Sequence, residues 1–423
     1  MHGPTELRQV KNFTVALTPF STPVIDARVI VNAGSADEAA DQWGTAHFLE
    51  HMFFKGTTKR DYKAINKVTS RLGHVNAHTS THGTAYEIQF LLGDIAEAIE
   101  VLMEMVFLPS MPEEEAKKET GVIVEECQMY LDDPHAFFWN NTEQHILGDQ
   151  HGHSVIGTIE SIQATTVEKM RQFRTTHYTP GNMLISVVGN IDFDELAAIL
   201  EQHLPDLPDG ERSQRWEPTF DWDDHDFTHK AKQAIVALVA KGATLEECIA
   251  NKWAVDVFRN ALGGGAHSLL FDRLREELGL CYHVGASHWS KGNLGLFVVL
   301  TMLDEDNIQL AVDEINKIIA KVRQEGFTDE ILEISKTNRL FTVARAMQTS
   351  TAINYAVEDY FHLDNTSLTE YLSFADRRTA IELLTNDDMI EVARTLLGED
   401  EPVKLCQMTQ LAPERVYVDP DDK

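Results

Sequence analysis

The sequence predicts an α+β fold of two similar, duplicated domains, each a mostly antiparallel sheet packed with helices. Three observations lead there. The chain has 423 residues and 43% hydrophobic content, which is more than one core normally organises and enough apolar material for two. Short β-branched runs alternate with longer amphipathic stretches of helical period, the pattern of sheet and helix layers. Finally, Ala27 to Gly34 is echoed by Ile235 to Gly242: each is an apolar run ending in glycine, followed by acidic residues and a tryptophan, Trp43 or Trp253. Such an echo marks a repeat.

In the first half, Val24 to Asn32, Thr84 to Leu92 and Met183 to Val188 read as strands because they are short and rich in Val, Ile and aromatic residues. Trp43 to Phe54, Ile95 to Phe107 and Val167 to Thr176 read as helices from apolar residues recurring at three- and four-residue steps. Glu113 to Tyr130 is a further helix, rich in acid on one side. Pro205, Pro208, Gly210 and Pro218 interrupt Leu204 to Asp226, which predicts a linker there. A boundary near 214 gives domains 1–213 and 214–423. In the second half, Ile235 to Ala240 and Leu294 to Leu300 look like strands. Leu245 to Leu262, Ile308 to Glu325 and Asp329 to Ala346 look helical. With Trp43 and Trp253 in register, His47 and His51 fall on Val257 and Ala261, so the second half is expected to be an inactive copy.

A formal charge of −31 argues against nucleic acid as a partner and favours basic peptides, above all if acid lines an enclosed cavity. No apolar run reaches membrane-spanning length, and Met1 to Glu6 lacks a basic-then-apolar signal. The default expectation is therefore a cytoplasmic protein without a membrane partner, with an organellar matrix after transit removal as the alternative. Cys127, Cys248, Cys281 and Cys406 form no CxxC pair and suit a reducing compartment.

His47-Phe48-Leu49-Glu50-His51 carries the chemistry. Two histidines four apart on a helix can grip one Zn2+ at about 2.0–2.1 Å, and the glutamate three residues after the first faces the same side. Glu50 then suits a general base acting on water. The bland reading is an ordinary core stripe of Phe48, Leu49, Met52, Phe53 and Phe54; against it, unpaired imidazoles in so apolar a segment would be costly to bury. A catalytic zinc needs a third ligand. Glu119 and Glu126, seven residues apart and so on one face of their helix, are the candidates: one for the metal, the other for support behind it. A plain solvated acidic face is the alternative.

The chain resembles the pitrilysin and mitochondrial processing peptidase family of zinc endopeptidases. The resemblance covers His47 to His51 with Phe54-Lys55-Gly56-Thr57, Asn76-Ala77-His78-Thr79 through Thr84 and Tyr86, Val122 to Cys127 with Met129-Tyr130 and Asp132-Asp133-Pro134, and in the second half Leu262 to Gly265 and Phe271 to Tyr282. It implies Glu126 as third ligand, with Glu125 turned away, and Glu119 as its supporting glutamate. It also implies one Zn2+ per chain, Arg275 and Tyr282 as substrate contacts, and Asn76 and Ala77 as the edge that pairs with substrate. By their residues alone, Asn76 to Thr81 is better read as a polar hairpin arm, a preference the resemblance reverses, while Arg275 is as well read as a surface charge and Tyr282 as a strand residue. Leu269 stands where relatives usually carry arginine. His74, His78 and His82 lie among Thr, Ser and Gly, which argues against a helical metal set. The resemblance implies a zinc metalloendopeptidase acting on unfolded peptides or presequences. A homodimer is the expected assembly and a heterodimer the variant. The alternative is a non-catalytic scaffold or substrate-recognising subunit.

Overall fold

The computed structural model describes residues 3–214, 216–217, 219–229, 232–250, 253–291, 293–363, 374–398 and 406–411. The chain packs as two compact units. One takes in Met1–Met129, Leu147–Glu217 and Val343–Phe374, the other Tyr130–Ile146, Pro218–Thr342 and Ala375–Lys423. The crossing after Glu217 lies in the proline-rich stretch. The two exchanged segments, 130–146 and 343–374, depart from the contiguous halves 1–213 and 214–423. No turn signal marks either exchange, because continuous helices over Glu113–Asp132 and Asp329–Ala346 run through both points.

The first unit holds β1 (Glu6–Val10), β2 (Phe13–Pro19), β3 (Val24–Val31), β4 (Gly73–Thr79), β5 (Thr84–Leu91) and β6 (Met183–Gly189). Their order is β1-β2-β6-β3-β5-β4. Only β2 and β6 run parallel; every other neighbouring pair is antiparallel. Alternation along β3 sends Ile25, Ala27, Val29 and Val31 into the core and sets Asp26 and Arg28 on the other face. Against the apolar face lies α1 (Thr45–Phe53), which buries Phe48, Leu49, Met52 and Phe53. Its first residue follows Gly44 at φ 87°, where a Cβ would stand 2.2 Å from the Ile156 carbonyl oxygen, so glycine is required. The Glu38 carboxylate accepts from the Gly44 and Ala46 amides at 2.7 and 2.6 Å and lies 3.3 Å from His153 Nε2, capping the helix start with negative charge. The acid-rich stretch of the first half forms α2 (Glu113–Asp132).

The second unit holds β7 (His225–Thr228), β8 (Ala234–Lys241), β9 (Cys281–Lys291), β10 (Leu294–Leu303) and β11 (Cys406–Leu411), ordered β7-β11-β8-β10-β9. Only β7 and β11 are parallel. Strand for strand and sense for sense, this repeats β2-β6-β3-β5-β4, so the fold is α+β and duplicated. The single helix expected over 245–262 is instead two, Leu245–Ala250 and α3 (Ala254–Gly263). Trp253, at φ 67°, cannot continue a right-handed helix and starts α3 instead.

Aligning the left-handed residues Gly44 and Trp253 lays Phe48, Leu49, Met52 and Phe53 on Val257, Phe258, Ala261 and Leu262, all buried. The tryptophan register is therefore off by one. His47, Glu50 and His51 correspond to Asp256, Arg259 and Asn260, so the repeat keeps polar residues at these positions but no ligand set.

Back in the first unit, α4 (Ser350–Leu363) covers the polar face of β3. Ser350 Oγ donates to the Val24 carbonyl at 3.0 Å, and Asn354 Nδ2 to Asp26 Oδ1 at 2.6 Å. Glu358 accepts from Arg28 at 2.9 Å, and His362 Nδ1 meets Asn32 Oδ1 at 3.2 Å. Four residues of helix advance about 6 Å and two of strand about 6.8 Å, so the two polar rows stay in step over Ser350, Asn354 and Glu358.

Candidate metal centre

On α1 the helical period brings His47, Glu50 and His51 to one side, with His47 and Glu50 each 8% exposed. The two imidazoles stand with ring centroids 4.6 Å apart. From α2, Glu126 Oε2 approaches His51 Nε2 to 3.5 Å and His47 Nε2 to 3.9 Å. One donor atom from each of the three residues lies within 4.8 Å of the others. Tetrahedral bonds of about 2.0–2.2 Å set neighbouring donors about 3.3 Å apart, so this two-nitrogen, one-oxygen set fits Zn2+ with slight closure. Glu125 is exposed on the same helix, while Glu126 is half-buried.

Charge favours ligation. Burial, with His51 adding to it, pushes His47 down to about 3, so its ring is neutral with a lone pair free. His47 Nδ1 is buried with no partner among the described residues. His51 is better supported: its Nδ1 lies 2.9 Å from Glu119 Oε1, while Glu119 Oε2 meets Lys55 Nζ at 2.5 Å. Burial alone would raise Glu119, but the His51 and Lys55 contacts outweigh it and hold the carboxyl below its ordinary range. The arrangement is a carboxylate fixing a ligand histidine. For Glu50, burial dominates and lifts the carboxyl above its ordinary value, against a hydrogen bond from Thr79 Oγ1 to Oε2 of 2.5 Å. A carboxyl so placed, facing the ligand histidines, can take up and return a proton.

The strand β4, which carries Thr79, is the outer strand of its sheet, paired to β5 with Asn76 opposite Glu87 and Ala77 opposite Tyr86. Its other edge pairs with no strand among the described residues. Asn76 is exposed and Ala77 buried. His78 turns to the opposite face, 2.8 Å from Glu358. His82 stacks on Trp216, and His74 is exposed on β4. Among the described residues the His47, His51 and Glu126 group is the one that meets the metal-ligand spacing. In the second unit, the Arg275 guanidinium carbon lies 4.6 Å from the ring centroids of both Phe271 and Tyr282, and Tyr282 is 77% exposed. Thr79, Lys55, Glu38 and His153 are site-supporting residues that the motif does not announce. For Glu38, an acid shortly before a glycine that opens a helix was the available signal.

This fold and this cluster define the class of two-repeat proteins built around a His-x-x-Glu-His helix. Residues 14–158 match the family model described as Insulinase (Peptidase family M16), and 164–339 match Peptidase M16 inactive domain. A Bacillus subtilis protein named as an uncharacterized zinc protease is 31% identical over 310 residues, 73% of this chain and 75% of the relative. One of the same name from Rickettsia felis is 27% identical over 405 residues, 93% and 95% of the two chains. The chain belongs to the insulinase family, peptidase family M16. Solved structures carry the same fold. The Pseudomonas fluorescens peptidase M16 inactive domain superposes with a TM-score of 0.85 at 19% identity, covering 97% of this chain and 98% of that one. A Helicobacter pylori protease gives 0.82 at 21%, covering 96% and 100%. Among the described residues no helix is long and apolar enough to cross a membrane, and one further neighbour is the first half of a periplasmic protease of Escherichia coli.

Proposed function

We propose that the protein is a zinc metalloendopeptidase that hydrolyses internal bonds of unfolded, preferentially basic peptides. The convergence of His47 Nε2, His51 Nε2 and Glu126 Oε2 beside a buried Glu50 carries this reading. His47, His51 and Glu126 hold the metal, one per chain, which when bound supplies Lewis acidity toward the scissile carbonyl and acidifies water. Glu50, ionised, takes a proton from the attacking water on a carboxylate oxygen and returns it to the leaving amine nitrogen. Glu119 keeps His51 oriented through Nδ1. Arg275 binds a substrate carbonyl, Tyr282 donates to the oxygen that gains charge, and the β4 edge at Asn76 and Ala77 pairs with the peptide backbone.

A homodimer is the assembly we propose, because one chain carries both the metal set and the Arg275 and Tyr282 pair. The whole metal set lies within the 14–158 match and outside the match named inactive, which supports catalysis over the scaffold reading. The test is zinc content together with cleavage of a quenched, basic, unstructured peptide, with Glu50→Gln as control. About one zinc per chain with cleavage abolished in Glu50→Gln is expected. Neither zinc nor cleavage would favour the scaffold.

A further inference from the structure

We propose that Thr79 is a positioning residue for Glu50, an inference that rests on the peptidase reading and assigns a role to a residue outside the metal set. Thr79 ends β4, an outer strand of the first sheet whose free edge pairs with no strand among the described residues. Its hydroxyl donates to Glu50 Oε2 across 2.5 Å, joining residues 29 apart in sequence. Glu50 is 8% exposed, so a carboxylate there has few waters to hold it in one rotamer. Apart from this bond, no other hydrogen bond or ion pair to the Glu50 side chain is found among the described residues. With Oε2 engaged, Oε1 is the oxygen left for a water proton.

The same strand is clamped from its other face. His78 Nε2 lies 2.8 Å from Glu358 Oε1 on α4, and alternation along β4 turns His78 and Thr79 to opposite sides. Thr79 is thus anchored to the strand end whose edge would receive a peptide backbone, and a hydroxyl set on a rigid strand fixes a general base better than one on a loop. Seating a peptide along β4 and aiming Glu50 become one event, so the base is best aligned when substrate is in register.

The test pairs Thr79→Val, which keeps the shape and deletes the hydroxyl, with Thr79→Ser, which restores it. With a quenched basic peptide, Thr79→Val is expected to lose kcat by about ten- to a hundredfold, with KM within about twofold and zinc content unchanged. Thr79→Ser is expected to recover kcat to within about threefold of the parent. A second readout needs neither metal nor turnover: in zinc-free protein, the thermal-midpoint shifts of Thr79→Val and Glu50→Ala should fail to add in the double variant, as for any two residues in direct contact. Unchanged kcat in Thr79→Val, a loss confined to KM, or equal losses in Val and Ser overturn the proposal, as do additive shifts. A parent chain that binds zinc yet cleaves no peptide overturns the peptidase reading instead, and with it the positioning role of Thr79 in turnover, whatever the thermal shifts show.

Discussion

Glu119 stands directly behind His51, its Oε1 2.9 Å from Nδ1 and its Oε2 2.5 Å from the Lys55 ammonium. The ring is therefore held by a carboxylate that is itself held, and Nε2 is the nitrogen left to face Glu126. Glu119→Ala frees the ring to rotate and removes the partner that fixes Nδ1 and so orients Nε2. Zinc affinity, measured by competition with a chelator, is expected to fall about ten- to a hundredfold. Unchanged affinity would show that Lys55 and Glu119 form an ion pair with no hold on the metal ligands.

Glu126 and its neighbour Glu125 make a paired test. They share chemistry and position in sequence, but Glu126 is half-buried against the two imidazoles while Glu125 is exposed. Glu126→Gln should lose most of the bound zinc at equal total metal, and Glu125→Gln should keep it, as read by metal analysis after dialysis. Retained zinc in Glu126→Gln removes it from the ligand set.

The legible parts of this molecule are those whose physics is local. The His47 to His51 pattern is readable because helix geometry alone brings i and i+4 together. The three strands and four helices read in the first half fall within a residue or two of their expected ends, whereas β1, β2 and the helices over Tyr62–Leu72, Pro134–Gly152, Ile159–Ala164 and Phe193–His203 are not read from the sequence at all. The third ligand was not fixed by spacing, since Glu119 and Glu126 share a face and only the approach of α2 to α1 separates their roles. Thr79 carries no signal of its own, because its contact with Glu50 depends on the register of β4 against the sheet. Arg28 is hidden in the same way: a charge alternating with apolar residues looks solvent-facing, yet it is fully buried under a helix whose Glu358 lies 330 residues further on. Trp253 split a helix that apolar periodicity alone makes continuous.

The buried cluster under α4 yields a stability prediction with a defined pH window. Arg28 is fully buried against Asp26, Glu87 and Glu358, and His78 also faces Glu358. Burial opposes charging both partners, yet their mutual bond, helped by His362 and Arg28 on the Glu358 side, holds Glu358 down to about 2 and lifts His78 above its ordinary value. The His78 contribution is complete below its unfolded value of 6.5 and is lost as pH rises through the raised value. The Glu358 contribution is present above its unfolded value of 4.5 and is lost as pH falls toward 2. Glu358→Gln should therefore cost most between these unfolded values, about 3 kcal/mol, and less at pH 9 or pH 3. Equal losses of thermal midpoint at pH 3, 5.5 and 9 would remove the linkage.

Arg28→Met tests the same cluster from the cation side. It leaves Asp26, Glu87 and Glu358 buried together without a guanidinium, and an uncompensated buried charge costs about 3–5 kcal/mol. Urea unfolding of the zinc-free chain should show a loss of that size. A loss under about 1 kcal/mol would mean that these carboxylates take up protons or water at little cost.

Arg275 and Tyr282 form a stacked pair whose parts can be removed separately. The guanidinium carbon sits 4.6 Å from the centroids of Phe271 and of Tyr282, so both rings hold the arginine side chain extended. Tyr282→Phe keeps that stack and deletes only the hydroxyl. If the hydroxyl donates to the developing oxyanion, kcat should drop about tenfold to a hundredfold while KM and zinc content hold. Arg275→Ala removes a contact to bound peptide, so KM should rise as well. The two variants thus separate a group used in the transition state from one used throughout binding. Peptide cleavage unchanged in both would mean that the stack is a feature of the second unit's own packing and that substrate is held elsewhere.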